Sequence, residues 1–293
     1  MTAPRPRAPG WKRYAIMGAP LTVLAVFFLV PFAMVVAASF YRNVDGGFYE
    51  PAFVLDSWER LAAPYHLDRI VFSVLICLLV AALTTAAAFP FTWFLTRMTP
   101  RRQVTLLVVV LASMTLSEAI VGFSWHLLLG RSTGIGRILV WVGLTDTATA
   151  YTPGFWAVVI GLSYSVFPYC VLVLFPPLRA IGQQLIEAAG TLGASPFQTF
   201  TSVVWPLARP AVTASFLLGF VFTLGINVVV EQLGRPEHWT LAVLISDAAS
   251  SQANTPLASA LAVFVALVSL GVVALVSVVE SRLDPSAARR RGG

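Results

Sequence analysis

Charge is what this 293-residue chain most lacks: 11% of its residues are Asp, Glu, Lys or Arg. An ordinary soluble domain carries about 25%, so a water-soluble enzyme of one or two domains is excluded. A disordered chain is excluded as well, because long apolar runs recur from end to end. Lysine is nearly missing. Lys12 is the single one among 19 cations, and it stands between Trp11 and Arg13. The Gly-Lys-Ser/Thr core of a phosphate-binding loop therefore occurs nowhere in the sequence. A P-loop nucleotide site is thus excluded.

Cysteine and histidine are scarce too. Cys77 and Cys170 fall inside apolar runs and read as small buried hydrophobes rather than a disulfide framework. His66, His126 and His238 lie on separate segments, with no Cys or carboxylate at metal-ligand spacing. No Ser/His/Asp order or paired carboxylate stands out. The loop Arg131-Ser132-Thr133-Gly134-Ile135-Gly136 lacks the lysine and the glycines of a phosphate cradle. The net charge of +6 comes in short runs, not in the continuous basic face that nucleic acid requires.

What is there is hydrocarbon: 58% of residues are hydrophobic and the mean hydropathy is +0.82. A spanning helix needs roughly 20 apolar residues. Residues 14–41, 70–96, 147–178, 210–230 and 248–279 contain no charge, and 104–129 is interrupted only by Glu118. Six transmembrane helices are expected, with Pro31, Pro90 and Pro168 inside spans, where neighbouring helices can satisfy the freed carbonyls. The first stretch is far longer than the ~7–15-residue apolar region of a signal peptide and reads as a retained helix. Placing the N-terminus in the cytoplasm puts 13 cations inside and 6 outside, as the positive-inside rule asks. Both termini are then cytoplasmic, as basic tails at 1–13 and 281–293 flanking a transmembrane domain at 14–280.

The loop at about 178–208, on the cytoplasmic side, is the most specific segment. Leu185, Ala188, Ala189 and Leu192 recur at helical spacing and share one narrow face. Gly193 stands where a helix end needs a positive φ. Ser195 offers an N-cap, Pro196 suits the first helical position, and Gln198 completes a capping box. The segment reads as a short amphipathic helix, a sharp corner, and a helix re-entering the membrane: a ledge shaped to be held by a partner.

Glu187-Ala188-Ala189, Gly193 and Pro206 match the spacing of the EAA motif. The segment thus resembles the permease subunits of bacterial binding-protein-dependent ABC importers. Val203 and Trp205 stand where that family has Ile and Leu, and Trp205 departs from the pattern. Residues 133–193, with Gly136-Arg137-Ile138-Leu139, Thr152-Pro153 and Phe167-Pro168, are similar to the spermidine/putrescine-type branch. So is Trp93-Phe94-Leu95-Thr96-Arg97. That branch commonly carries Leu-Gly-Gly after the fifth span; this chain has Leu233-Gly234-Arg235.

The resemblance implies an all-α ABC importer permease fold, in which Glu187, Ala188, Ala189, Gly193 and Pro206 couple to an ATPase. It implies a second permease subunit, two ATPase subunits holding ATP and Mg, and a periplasmic or lipid-anchored solute-binding protein. It also implies the bacterial inner membrane. The chain itself would bind no cofactor. The solute implied is a small one, a polyamine first, with ferric iron, phosphonates and amino-acid derivatives still open.

Two acids lie in or at the edge of apolar runs. An ionised acid at mid-membrane costs about 2.5–3.5 kcal/mol on insertion scales, so such groups usually face a bundle interior or a water-filled cavity. Glu118 reads either as counter-charge on a solute path or as a hydrogen-bonded structural group near Ser117 and Thr115. Glu231 reads either as part of that path or as a solvated acid. Trp125, Tyr164 and Tyr169 could add cation–π contacts, or simply pack. An ion-driven carrier working alone would show inverted repeats, and none is found. A membrane enzyme would need a polar cluster at one depth. Glu118 and His126 come nearest, yet eight residues separate them by roughly 12 Å of helix.

Overall fold

A computed structural model of the chain describes residues 18, 20, 22–44, 46, 48–131, 134–143, 147 and 149–283. The cations Arg5, Arg7, Lys12, Arg13, Arg289, Arg290 and Arg291, with Leu144-Thr145-Asp146, lie outside those residues. Among the described residues the elements run from a π-turn (Ala25–Leu29) through α1 (Val30–Ala38), β1 (Arg42–Val44) and β2 (Phe48–Glu50) to α2 (Asp56–Leu61). Then come α3 (Pro64–Arg97), α4 (Pro100–Met114), α5 (Glu118–Leu129), α6 (Ile135–Trp141) and α7 (Phe155–Ala180). A second π-turn (Phe200–Val204) follows α8 (Gln183–Thr191) and α9 (Pro196–Thr199). The remainder is α10 (Trp205–Gly225), α11 (Val228–Leu233), a 3₁₀ turn (Pro236–His238), α12 (Leu241–Ser250) and α13 (Thr255–Leu283).

The chain forms two compact units. The first takes in the residues up to Ala63 together with Asp247–Phe264. Here the structure departs from an all-α expectation, because β1 and β2 pair antiparallel with Arg42 opposite Glu50 and Val44 opposite Phe48. Phe40 stacks on Phe53 and Trp58 at centroid distances of 5.0 and 5.8 Å, and Tyr41 on Tyr49 at 5.6 Å. These rings brace the hairpin against α2. Asn254 Oδ1 accepts from the Leu257 backbone N–H at 3.1 Å and caps α13.

The second unit, Pro64–Ser246 with the residues from Val265 onward, is built on α3, α7 and α10, which pack directly against one another. Their shared surface is made of small and branched residues: Cys77, Val80 and Ala81 on α3, Val166 and Cys170 on α7, Ala208 and Ser215 on α10. Helices in lipid associate through such close packing, since lipid tails are as apolar as leucine. Gly219 lies within this surface. A Cβ there would sit 3.4 Å from Cys170 Sγ and Val166 Cγ1, and 3.6 Å from the Ala81 Cα. Both cysteines are free and buried.

Among the described residues, four helical stretches are long and apolar enough to cross a membrane: Pro64–Arg97, Phe155–Ala180, Pro196–Gly225 and Thr255–Glu280. A fifth counts only if α4 and α5 are taken as one span, because they meet at 98°. The expected straight span over 104–129 is therefore broken at Thr115-Leu116-Ser117. The first expected span is helical over Thr22–Ala38, shorter than a crossing, and residues 1–17 ahead of it lie outside the described ones. The fifth expected span also differs. Its helix ends at Gly225, Ile226 is extended, and Glu231 belongs to the separate short helix α11.

Each π-turn runs up to two residues before a proline, Pro31 in one case and Pro206 in the other. Proline has no N–H for the carbonyl four residues back, and its ring crowds that carbonyl. A wider turn relieves the clash, and Trp205 N–H accordingly bonds Phe200 O, five residues back.

Packing at Gly219 gives a graded expectation. Gly219→Ala should fold like the parent, its methyl falling at ordinary contact distance. Gly219→Leu should lose about 1–3 kcal/mol of stability through overpacking, measured as a lower midpoint of thermal unfolding in detergent.

Candidate functional site

The ledge read from the sequence is present, and its backbone is closed by two interlocking caps. α8 ends at Thr191, and Gly193 adopts φ +82°. Gly193 N–H donates to Gly190 O and Ala194 N–H to Ala189 O, both at 3.0 Å. These are the paired bonds of a Schellman ending, which require a left-handed residue at the corner. Two residues on, the Gln198 N–H donates to Ser195 Oγ (3.2 Å) and the Ser195 N–H to Gln198 Oε1 (2.8 Å). The capping box starts α9. Pro206 then opens α10, behind the π-turn.

The ledge, from α8 through the corner to α9, has two sides. Ile186, Gly190 and Ala194 turn toward Trp93 of α3 and, with Pro196, Thr199 and Phe200, line a cavity of about 280 Å³. The other side is open: Leu185, Leu192 and Phe197 are 49%, 89% and 75% exposed, and Glu187 and Ala188 are exposed among them. Ala189 is half-buried, so the two alanines flank the free face rather than share it equally.

Behind the corner, Trp205 meets Phe89 edge-on at 6.1 Å and lies 6.4 Å from Phe200. The indole also borders an apolar cavity of about 430 Å³ with Phe89, Val212 and Phe216. Trp205 thus fills the space behind the ledge with aromatic contacts to α3. At the other end, Arg97 lies over the Trp93 indole with its guanidinium carbon 4.2 Å from the ring centroid. It donates to Gln183 Oε1 at 3.1 Å and to Ile181 O at 3.2 Å. Sequence reasoning passed over this contact, although Trp93 and Arg97 stand one helical turn apart, the spacing of a stacked pair.

Of the candidates within apolar segments, the structure brings four together: Glu118, Tyr164, Tyr169 and Trp125. Glu118 is the first residue of α5, at the 98° bend. It borders a cavity of about 100 Å³ with Ser113, Tyr164, Ser165, Tyr169 and Phe222. Trp125 meets Tyr164 edge-on at 5.8 Å. Glu231 is exposed on α11 and does not border that cavity. Thr115, considered as a partner for Glu118, turns its hydroxyl back to Ala112 O at 2.8 Å.

The profile of the family described as "Binding-protein-dependent transport system inner membrane component" matches residues 135–286, more than half of the chain and the whole ledge. The chain belongs to that family. It is a permease component of a binding-protein-dependent ABC importer and a multi-pass protein of the inner membrane, and the family is one of transport permeases rather than enzymes. It is similar to the spermidine/putrescine transport system permease protein PotB of Escherichia coli (strain K12), 27% identical over 89% of this chain and 94% of the relative. The corresponding protein of Haemophilus influenzae is 25% identical over 82% of this chain and 84% of its own length. The molybdenum transport system permease protein ModB of Azotobacter vinelandii is 34% identical over 57% of this chain and 75% of its own. Among solved structures, a chain of the bacterial alginate ABC transporter in complex with its alginate pentasaccharide-bound periplasmic protein superposes with a TM-score of 0.73. At 17% identity, covering 93% of this chain and 95% of that one, it is a likeness of fold.

The departure after the fifth expected span has a simple accommodation. Leu233 is fully buried, and its carbonyl accepts from Gly154 N–H at 2.9 Å. A Cβ at Gly234 would meet Val230 O at 2.7 Å. Arg235 beyond them is in a solvent-exposed pair with Glu237 at 3.6 Å, a contact worth little.

The two caps can be removed separately. Ser195→Ala should cost about 1 kcal/mol, and Gly193→Leu about 1–2 kcal/mol for a side chain forced left-handed. Both should appear as faster amide exchange over residues 185–200, with membrane insertion unchanged.

Proposed function

We propose that the ledge is the element by which this permease docks on an ATPase subunit, and that it moves when ATP binds. The observation that carries this reading is the exposed apolar trio Leu185, Leu192 and Phe197 on a corner held rigid by two caps. Burying a Leu or Phe side chain contributes about 1.5–3 kcal/mol, so a groove receiving these residues gains affinity without having to order the ledge first. Glu187 on the same face supplies charge selectivity. Ala188 and Ala189 keep the approach close, Gly193 makes the corner, and Pro206 sets the re-entry.

In this reading the chain crosses the membrane six times with both termini in the cytoplasm. Basic tails at 1–13 and 281–293 flank the transmembrane domain at 14–280. The bent α4–α5 pair forms one crossing, and the helix at Thr22–Ala38 belongs to another. The permease pairs with a second permease, two ATPase subunits carry ATP and Mg, and a periplasmic or lipid-anchored binding protein delivers the solute. The chain itself needs no cofactor. ATP-driven closure of the ATPases drags the ledge, and the cavity alternates its opening.

The solute in this proposal is a polyamine-like cation. The relatives named for spermidine and putrescine align over most of the chain, and Glu118 with Tyr164 and Trp125 offers carboxylate and aromatic faces together. An acid at a helix break within an apolar region fits a water-accessible path better than lipid. Glu231 belongs to the same path only if it meets the solute at a different point.

Two experiments test these assignments. Glu187→Arg should abolish uptake and lose the ATPase subunits on copurification while the chain still inserts; undiminished uptake would refute the docking role. Glu118→Gln should raise the apparent KM for spermidine about tenfold, the worth of a charge-assisted hydrogen bond, in a fully assembled complex. An unchanged KM would remove Glu118 from the path.

A further inference from the structure

Three helices form the core of the second unit, and two of them are joined to the ledge by the chain itself. α7 leads into α8 through Ile181 and Gly182, and α10 follows the π-turn. α3 lies 86 residues earlier in sequence than its contact with Gln183, so it reaches the ledge through side chains alone. Phe89 meets Phe200 at 6.2 Å on the π-turn. The start of α8 is reached by Arg97, and Trp93 lies beneath the helix.

The geometry at Arg97 is directional. Its guanidinium is stacked on Trp93 and forks to two acceptors, the Ile181 carbonyl at the end of α7 and the Gln183 side chain at the first residue of α8. Both acceptors are neutral, so the contact is a positional one rather than an exchange of opposite charges. A planar fork that also stacks is a property of arginine and not of lysine. Arg97 is itself held in place. Gln103 of α4, nearly buried, donates to Thr96 O at 3.1 Å and Met98 O at 2.9 Å, closing the corner on either side of it.

We propose that Arg97 is the positioning residue through which displacement of the ledge reaches α3, with the Trp93 indole as the surface it pivots on. The proposal rests on the ledge being the ATPase docking element. With Arg97 in place, movement of α8 is passed directly to α3. Without it, α3 keeps only the Phe89 ring contacts to the corner and its packing on α7 and α10, so its response to the ledge weakens and ATP is consumed with less transport.

The test uses the complete transporter, both permeases with the ATPase subunits and the binding protein, reconstituted in liposomes, with uptake measured per ATP hydrolysed. In Arg97→Ala the ATPase subunits should still copurify, and uptake per ATP should fall about tenfold, the worth of one charge-assisted hydrogen bond. Arg97→Lys, which keeps the charge but cannot stack and fork at once, should fall severalfold and serves if the alanine variant does not reach the membrane. A wild-type ratio in either variant overturns the proposal. Loss of the ATPase subunits from an inserted Arg97→Ala chain also overturns it, because Arg97 would then only shape the docking face. Glu187→Arg run alongside separates the two ideas: if that variant keeps its ATPase subunits and its uptake, the docking role of the ledge fails, whatever Arg97 does.

Discussion

Backbone hydrogen bonding is the constraint on which the rest of this structure depends. Hydrocarbon offers no partner for a free N–H or C=O, so a chain in a membrane must satisfy those groups wherever a helix stops. Here the stops are where function is placed. Outside the hydrocarbon the corner at Gly193 still closes six backbone groups on itself, four through the Schellman bonds and two through the capping box. A corner that needs nothing from its surroundings can present apolar side chains outward and still keep its shape. The break between α4 and α5 is less self-contained, and it is there that an acid and two tyrosines gather.

The ledge was legible because its chemistry is local. Glycine at a left-handed position, serine and glutamine three residues apart, and proline opening a helix each report on neighbours within one turn. The structure returns each of them in the expected role. Four of the spans among the described residues were legible for a similar reason, since apolar length counts residues against a bilayer thickness. The 98° bend at Thr115-Leu116-Ser117 was not, for no proline or glycine marks it. Nor was the extended Ile226, which ends a helix inside an apolar run. The β1–β2 hairpin had a visible signal in Gly46, a residue free to take the positive φ it adopts there, but charge counting over the loop passed it by. Arg97 and Gln183 are simply far apart in sequence, and single-chain periodicity carries no information about pairs at that distance.

Departures from the family pattern turn out to be placed where the fold can absorb them. Trp205 brings an indole to a site that expects an aliphatic residue, and it is met by Phe89 and Phe200, which turn the extra volume into ring contacts. Arg235 follows a buried leucine and a crowded glycine but itself reaches solvent. In both cases the backbone around the altered position is fixed by its neighbours, so the side chain alone had to adapt.

The π-turn at Phe200–Val204 carries a consequence for helical phase. Each residue advances an α-helix by about 100°, and a π-turn holds one residue more than an α-turn over the same arc. That additional residue sets the angle between the face that the ledge offers to a partner and the face that α10 offers to α3 and α7. Both faces are spoken for, one by the buried helix contacts and the other by the exposed leucines and phenylalanine. Removing one residue here would leave each helix intact and still aim the ledge in a different direction. The length of this short connector is therefore under tighter restriction than its composition.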